Sequence, residues 1–229
     1  MSVSTPATVG LADAKSRRKA MIRRITVTAI LTAMAFVLMY LEVPLPFMPF
    51  FLKFDFSEIP VLVGAFALGP VWGIVIELLK NLIHLPFTQT MCIGELSNFI
   101  TGSIFVGFSG LVYKKLHTRK GAAVSMAIGT LMLALIAVPV NAFINLPLYG
   151  SMMNFPMEKI IGSSASVNPL IKDELTLLLF AFVPFNLFKG IVVSVFTFFI
   201  YKPVSKLIHQ TREVTQGVKD EAEPEAQIN

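Results

Sequence analysis

The last apolar stretch limits the fold of this chain more than any other feature. Residues 175–201 run Leu-Thr-Leu-Leu-Leu-Phe-Ala-Phe-Val-Pro-Phe-Asn-Leu-Phe-Lys-Gly-Ile-Val-Val-Ser-Val-Phe-Thr-Phe-Phe-Ile-Tyr, with Lys189 as the one charged side chain. That length suits a bilayer crossing, which takes about 20 apolar residues as helix. A cation at the middle of such a helix costs at least about 2.5–3.5 kcal/mol on insertion scales. Lys189 is therefore expected to face the protein interior or a polar cavity. Asn186, three positions earlier, shares its face.

Composition extends the argument to the whole chain. Of 229 residues, 55% are hydrophobic and 14% charged, whereas a soluble domain carries about 25% charged residues. The chain reads as an all-α integral membrane protein. The net charge of +5 comes from basic residues at the edges of apolar spans, so it signals topology rather than a nucleic-acid patch. A single cysteine, Cys92, excludes an internal disulfide, and no Cys/His cluster has zinc-site spacing. The first apolar run starts near Ile25, follows no small-residue cleavage site, and is long enough to stay in the membrane.

Three regions are expected: a mobile cytoplasmic segment 1–21, a membrane domain 22–208, and a disordered acidic cytoplasmic tail 209–229. Membrane helices are read at about 24–43, 58–69, 70–85, 93–115, 122–148 and 175–201. The apolar stretch 58–85 is divided by Gly69-Pro70, because proline removes an amide donor and disfavours helix just before it. Charge decides between a kink and a turn. Basic clusters at 15–24, at 114–120 and at 202–212 all belong inside if positive flanks are cytoplasmic. An even number of crossings must then separate the first two clusters, which makes 58–85 a pair. Six crossings follow, with both termini cytoplasmic.

This topology leaves 44–57, 86–92 and 149–174 outside. The first contains Pro44, Pro46 and Pro49 among large apolar side chains, so an irregular apolar loop is expected to cover something. The third, rich in Gly, Ser, Asn and Pro, is a cover or a linker.

Polar residues inside apolar spans are the informative ones: Glu77, Lys80, Asn81, His84, Glu95, Asn98, Asn141, Asn145, Asn186 and Lys189. Lys189 either contacts a ligand or pairs internally, with Glu95 or Glu77 as partner. Each asparagine either joins helices, at roughly 0.6–2 kcal/mol per contact, or reads a ligand. Glu77 and Lys80, one turn apart, are expected to pair. Glu95, after Cys92-Ile-Gly94, caps its helix or accepts ligand hydroxyls. Ala29 and Ala33, four apart on the first helix, permit close approach of another helix, from this chain or from a partner. No nucleotide-binding loop, His-Glu-x-x-His or Gly-x-Ser-x-Gly occurs. No catalytic residue is nominated, and any ATP hydrolysis belongs to another chain.

Three segments carry a resemblance. Leu52-Lys-Phe-Asp-Phe-Ser-Glu-Ile-Pro60 with the following Val61-Leu-Val-Gly-Ala-Phe-Ala-Leu-Gly-Pro70, Asn141-Ala-Phe-Ile-Asn-Leu-Pro147-Leu-Tyr149, and Pro184-Phe-Asn186-Leu-Phe-Lys189-Gly resemble the substrate-binding S components of energy-coupling factor transporters. The riboflavin-specific members are the most similar, over nearly all of 22–208. The resemblance implies a multi-pass protein of a prokaryotic plasma membrane with its pocket near the extracellular side. It implies capture of riboflavin as a transported ligand, with no resident cofactor or metal. It makes Glu95, Asn141, Asn186 and Lys189 the polar ligand contacts, and Leu45, Pro46, Phe47 and Met48 the cover. It makes Ala29 and Ala33 the docking surface for a transmembrane coupling subunit that works with two ATPase subunits. Two other readings stand beside it: an S component for thiamine or biotin, and a proton-coupled secondary transporter using Glu77, Lys80, Glu95 and His84. Reporter tags on the two termini are predicted to sit on the same, cytoplasmic side; tags on opposite sides would defeat the six-crossing topology.

Overall fold

The computed structural model describes residues 6–46, 48, 49 and 51–200. Residues 1–5, Phe47, positions 201–208 of the expected membrane domain and the tail 209–229 lie outside the described residues. Lipid offers no partner for backbone amides, so apolar spans must satisfy themselves as helices. Helix α1 covers Pro6–Tyr40, starting well before the expected boundary at 24. The Ala-, Lys- and Arg-rich run before it favours helix, and Pro6 is a residue type suited to a first turn. The part of α1 long and apolar enough to cross a membrane is Ser16–Tyr40.

After α1 the prolines prevent helix, and the chain forms a two-stranded hairpin. Strand β1 (Val43–Pro44) pairs antiparallel with β2 (Lys53–Phe54). The stretch 58–85 is two helices, α2 (Glu58–Leu68) and α3 (Pro70–His84). They are joined at Gly69, whose φ of +106° is a conformation glycine adopts without a Cβ penalty. Pro70 opens α3, where its missing amide costs nothing. Helix α4 spans Ile93–Leu116. Helix α5 spans Arg119–Met152, and Thr118 caps it by accepting from the Gly121 amide at 2.9 Å.

The stretch expected as a plain loop at 149–174 contains a nine-residue helix, α6 (Met157–Ala165). Its Gly and Ser content hid the Ile160/Ser164 spacing that buries one face. Helix α7 covers Glu174–Ile200. A reciprocal cap starts it: Asp173 Oδ1 accepts from the Thr176 amide at 2.8 Å, and Thr176 Oγ1 accepts from the Asp173 amide at 2.9 Å. The Thr176 amide and hydroxyl together hold the Asp173 carboxyl below the usual carboxylate range.

Among the described residues four helices, α1, α4, α5 and α7, are long and apolar enough to cross a membrane; α2 and α3 are shorter, at 11 and 15 residues. Large apolar side chains point outward, with Phe143 79% and Phe199 71% exposed, the inverse of a water-facing surface. Helix α4 sits against α3 and α5, while α1 rests on α2 and α3. Small residues allow these crossings. A Cβ on Gly129 would fall 2.8 Å from the Phe105 carbonyl oxygen, and one on Gly190 would fall 2.6 Å from Thr130 Cγ2. One apolar core, with Leu62, Ile76, Phe105, Met126 and Val193, lies among α1–α5 and α7. A second, with Phe54, Tyr149, Ile160, Ile171 and Phe182, joins the hairpin, α6 and the facing ends of α5 and α7. Gly129→Val is predicted to cost about 1–3 kcal/mol by overpacking the α4–α5 crossing. The readout is a lowered thermal unfolding midpoint in detergent, and an unchanged midpoint would contradict this packing.

Candidate ligand-binding site

Two helices bordering the cavity widen by one residue just before a proline. In α5 the turn Asn141–Asn145 is a π-turn, with the Leu146 amide bonded back to the Asn141 carbonyl. In α7 the turn Leu178–Phe182 does the same, with the Val183 amide bonded to the Leu178 carbonyl. Pro147 and Pro184 follow directly. A proline ring clashes with the carbonyl four residues before it, and an extra residue in the turn relieves that contact. The Phe180 carbonyl, deprived of its usual donor by Pro184, accepts from Asn168 Nδ2 at 3.4 Å. Such π-turns often lie at functional sites.

Between these helices, α4 and the hairpin lies a cavity of about 470 Å³, within the range of about 300–1,000 Å³ usual for small-molecule sites. Its apolar walls include Met39, Phe51, Leu52, Phe105, Ile160, Phe182 and Phe185. Glu95, Asn141, Asn186 and Lys189, the four polar candidates from the sequence, all line it. Asn145 lines it as well, so the structure brings both α5 asparagines to the site. Asn145 Nδ2 donates to Asn141 Oδ1 at 2.6 Å and to Ser97 Oγ at 2.7 Å. Asn145 Oδ1 is buried with no hydrogen-bond partner among the described residues. Asn186 Nδ2 donates to the Phe182 carbonyl at 2.8 Å, in the turn that follows the widened one.

Lys189 does not pair with either expected partner. Its ammonium lies 3.2 Å from Asp55 Oδ2 and donates to Asn98 Oδ1 at 3.1 Å. Glu77 is instead paired with Lys80 at 2.9 Å, and Lys80 also bonds Glu58 Oε1 at 2.7 Å and Ser57 Oγ at 2.8 Å. Asn81 Nδ2 donates to Glu77 Oε1 at 2.9 Å. Three carboxylates thus face two ammonium groups, all nine-tenths or more buried. Glu95 is held separately, accepting from Thr88 Oγ1 at 2.8 Å and lying 2.9 Å from His84 Nδ1. The four residues considered for a proton relay therefore form two distinct pairs.

The hairpin and α6 cover one end of the cavity. Leu45, Pro46 and Met48 are not among the cavity walls; Leu45 and Met48 pack on the second core, one layer out. Phe51 and Leu52 of the same loop line the cavity instead. Phe47 lies outside the described residues. At the mouth, Lys53 forms an ion pair with Glu42 and donates to Gln89 Oε1 at 2.7 Å. Ala29 and Ala33 do not line the cavity and lie on the exposed face of α1. Sequence reasoning missed Asp55, Glu58 and Tyr149 as site residues. For the two acids the signal was present, since two carboxylates in Phe54-Asp-Phe-Ser-Glu-Ile-Pro are too many for an apolar segment without buried cations.

Residues 23–201 match the family described as the substrate-specific component of ECF transporters. The riboflavin transporter RibU of Staphylococcus aureus (strain TCH60) is 31% identical over 186 residues, spanning 81% of this chain and 92% of that protein. The riboflavin transporter FmnP of Bacillus subtilis (strain 168) is 31% identical over 194 residues, covering 83% and 96% respectively. A solved S component of a bacterial ECF transporter superposes with a TM-score of 0.65 at 29% identity, over 82% of this chain and 98% of that one. The chain belongs to the substrate-specific components of ECF transporters, membrane proteins that serve transport rather than catalysis.

Lys80→Met removes the cation shared by Glu58 and Glu77. It is predicted to destabilise the protein by about 3–5 kcal/mol, the cost of leaving buried charge unpaired. Thermal unfolding in detergent reads this loss, and a midpoint equal to wild type would remove the cluster from the account of stability.

Proposed function

We propose that this protein captures riboflavin at the outer face of a prokaryotic cell membrane and delivers it inward. The observation that carries the reading is the convergence of Glu95, Asn141, Asn186 and Lys189 on one largely apolar cavity. Riboflavin is uncharged, with a flat tricyclic ring, a urea-like donor/acceptor edge and a chain of hydroxyls. An apolar slot with a few fixed polar groups suits such a ligand. Amides and an ammonium can pair with the ring's carbonyls and imide, and the Glu95 carboxylate can accept from hydroxyls. The names of the relatives support riboflavin over thiamine or biotin, and the split of Glu77–Lys80 from His84–Glu95 gives no support to a proton relay.

In this reading six helices cross the membrane with both termini cytoplasmic. The short α2 and α3 form one in-and-out pair turned at Gly69, which demands local thinning or tilt. The 44–53 loop closes the pocket with Phe51 and Leu52 inward. A transmembrane coupling subunit docks on the α1 face bearing Ala29 and Ala33, where small side chains allow close helix approach, and two ATPase subunits supply the energy.

Titrating riboflavin into detergent-solubilised protein, read by quenching of flavin fluorescence, tests the proposal. Saturable binding is expected, and a protein that leaves flavin fluorescence untouched would overturn the reading. Lys189→Ala and Asn186→Ala are each predicted to weaken binding by about 1–3 kcal/mol, because ligand groups would be buried without partners. Unchanged affinity in both would return that face to a structural role.

A further inference from the structure

The covering segment and the lysine-bearing helix meet at one ion pair. Asp55 directly follows β2 and lies 134 positions from Lys189 in the chain, yet its Oδ2 is 3.2 Å from the Lys189 ammonium. The carboxylate is not free to turn, since Oδ1 accepts from the Ser57 amide at 2.7 Å. Opposite it, Asn98 Oδ1 accepts from Lys189 at 3.1 Å. An ammonium has three donors, and these bonds use two. The next acceptor, Glu58 Oε1 at 3.9 Å, is beyond hydrogen-bond reach. Asp55, Asn98 and Lys189 all line the cavity.

Resting on the riboflavin reading, we propose that Asp55 is a positioning residue, which fixes the Lys189 ammonium so that its third donor meets the ligand. A lysine stem has four flexible carbons. Without an anchor its head spreads over several positions, among them the carboxylate of Glu58, and is less available to the cavity. The pair joins the end of the hairpin to α7, so loss of the anchor also loosens the cover. Asp55 therefore acts through Lys189.

Asp55→Asn isolates this role. The amide oxygen keeps the bond from the Ser57 amide, and the cluster becomes charge-balanced, with Glu58 and Glu77 facing Lys80 and Lys189. The variant is expected to fold and to bind riboflavin about tenfold or more weakly, as befits a lost charge-assisted contact, with faster dissociation. Adding Lys189→Met to Asp55→Asn is expected to change affinity by no more than about twofold, because Lys189 contributes only while Asp55 holds it. Asp55→Glu, which keeps the charge and shifts it by one methylene, serves if Asp55→Asn yields no folded protein and is expected to weaken binding likewise. An Asp55→Asn protein with wild-type affinity overturns the inference. So does a double variant that loses a further tenfold, since Asp55 would then act independently of Lys189. A wild-type protein that binds no riboflavin overturns the functional reading, and this inference with it; the wild-type titration alone tells the two failures apart.

Discussion

Lys189 sits in a helix otherwise suited to lipid, with 7% of its surface exposed, so its charge has to be met inside the protein. Asp55 and Asn98 meet it from two different parts of the chain, and the consequences spread from there. The Asp55 contact fixes where the hairpin ends against α7. The Asn98 contact fixes α4 against the same point. Nearby, Lys80 gathers Glu58, Glu77 and Ser57, so five buried ionisable groups share one network. Buried pairs of this kind are weak sources of net stability, yet removing one partner is costly.

The cavity beside this network is shaped by backbone irregularity. The π-turns before Pro147 and Pro184 rotate Asn141, Asn145 and Asn186 relative to an unbroken helix. Each proline also frees a carbonyl, and in α7 Asn168, from the segment between α6 and α7, supplies the missing donor. Helix distortion, loop position and site geometry are thus one problem rather than three. The wall beneath the hairpin and α6 is built from the apolar side chains of Phe51, Leu52 and Ile160.

Much of this was legible in the sequence. The long apolar spans, the Gly69-Pro70 division and the interior placement of Lys189 follow from bilayer thickness, proline chemistry and the cost of a buried charge. The Glu77–Lys80 pair followed from helical spacing. The Lys189 partner did not, because no local pattern encodes a contact 134 positions away. The choice between Asn141 and Asn145 was unreadable for a different reason: residues four apart share a helix face, and both line the cavity. Leu45, Pro46 and Met48 do not line the cavity, a detail that proline spacing, which signals irregularity without its direction, does not carry.

The central claim is that a flat neutral vitamin replaces empty space beside an ammonium held by Asp55. A structure of the protein saturated with riboflavin tests it most directly. The account predicts the flavin inside the cavity, with Lys189 and Asn186 within about 3.2 Å of its polar atoms and the Asp55–Lys189 contact intact. Flavin bound elsewhere, or bound in the cavity with Lys189 turned away, would contradict it.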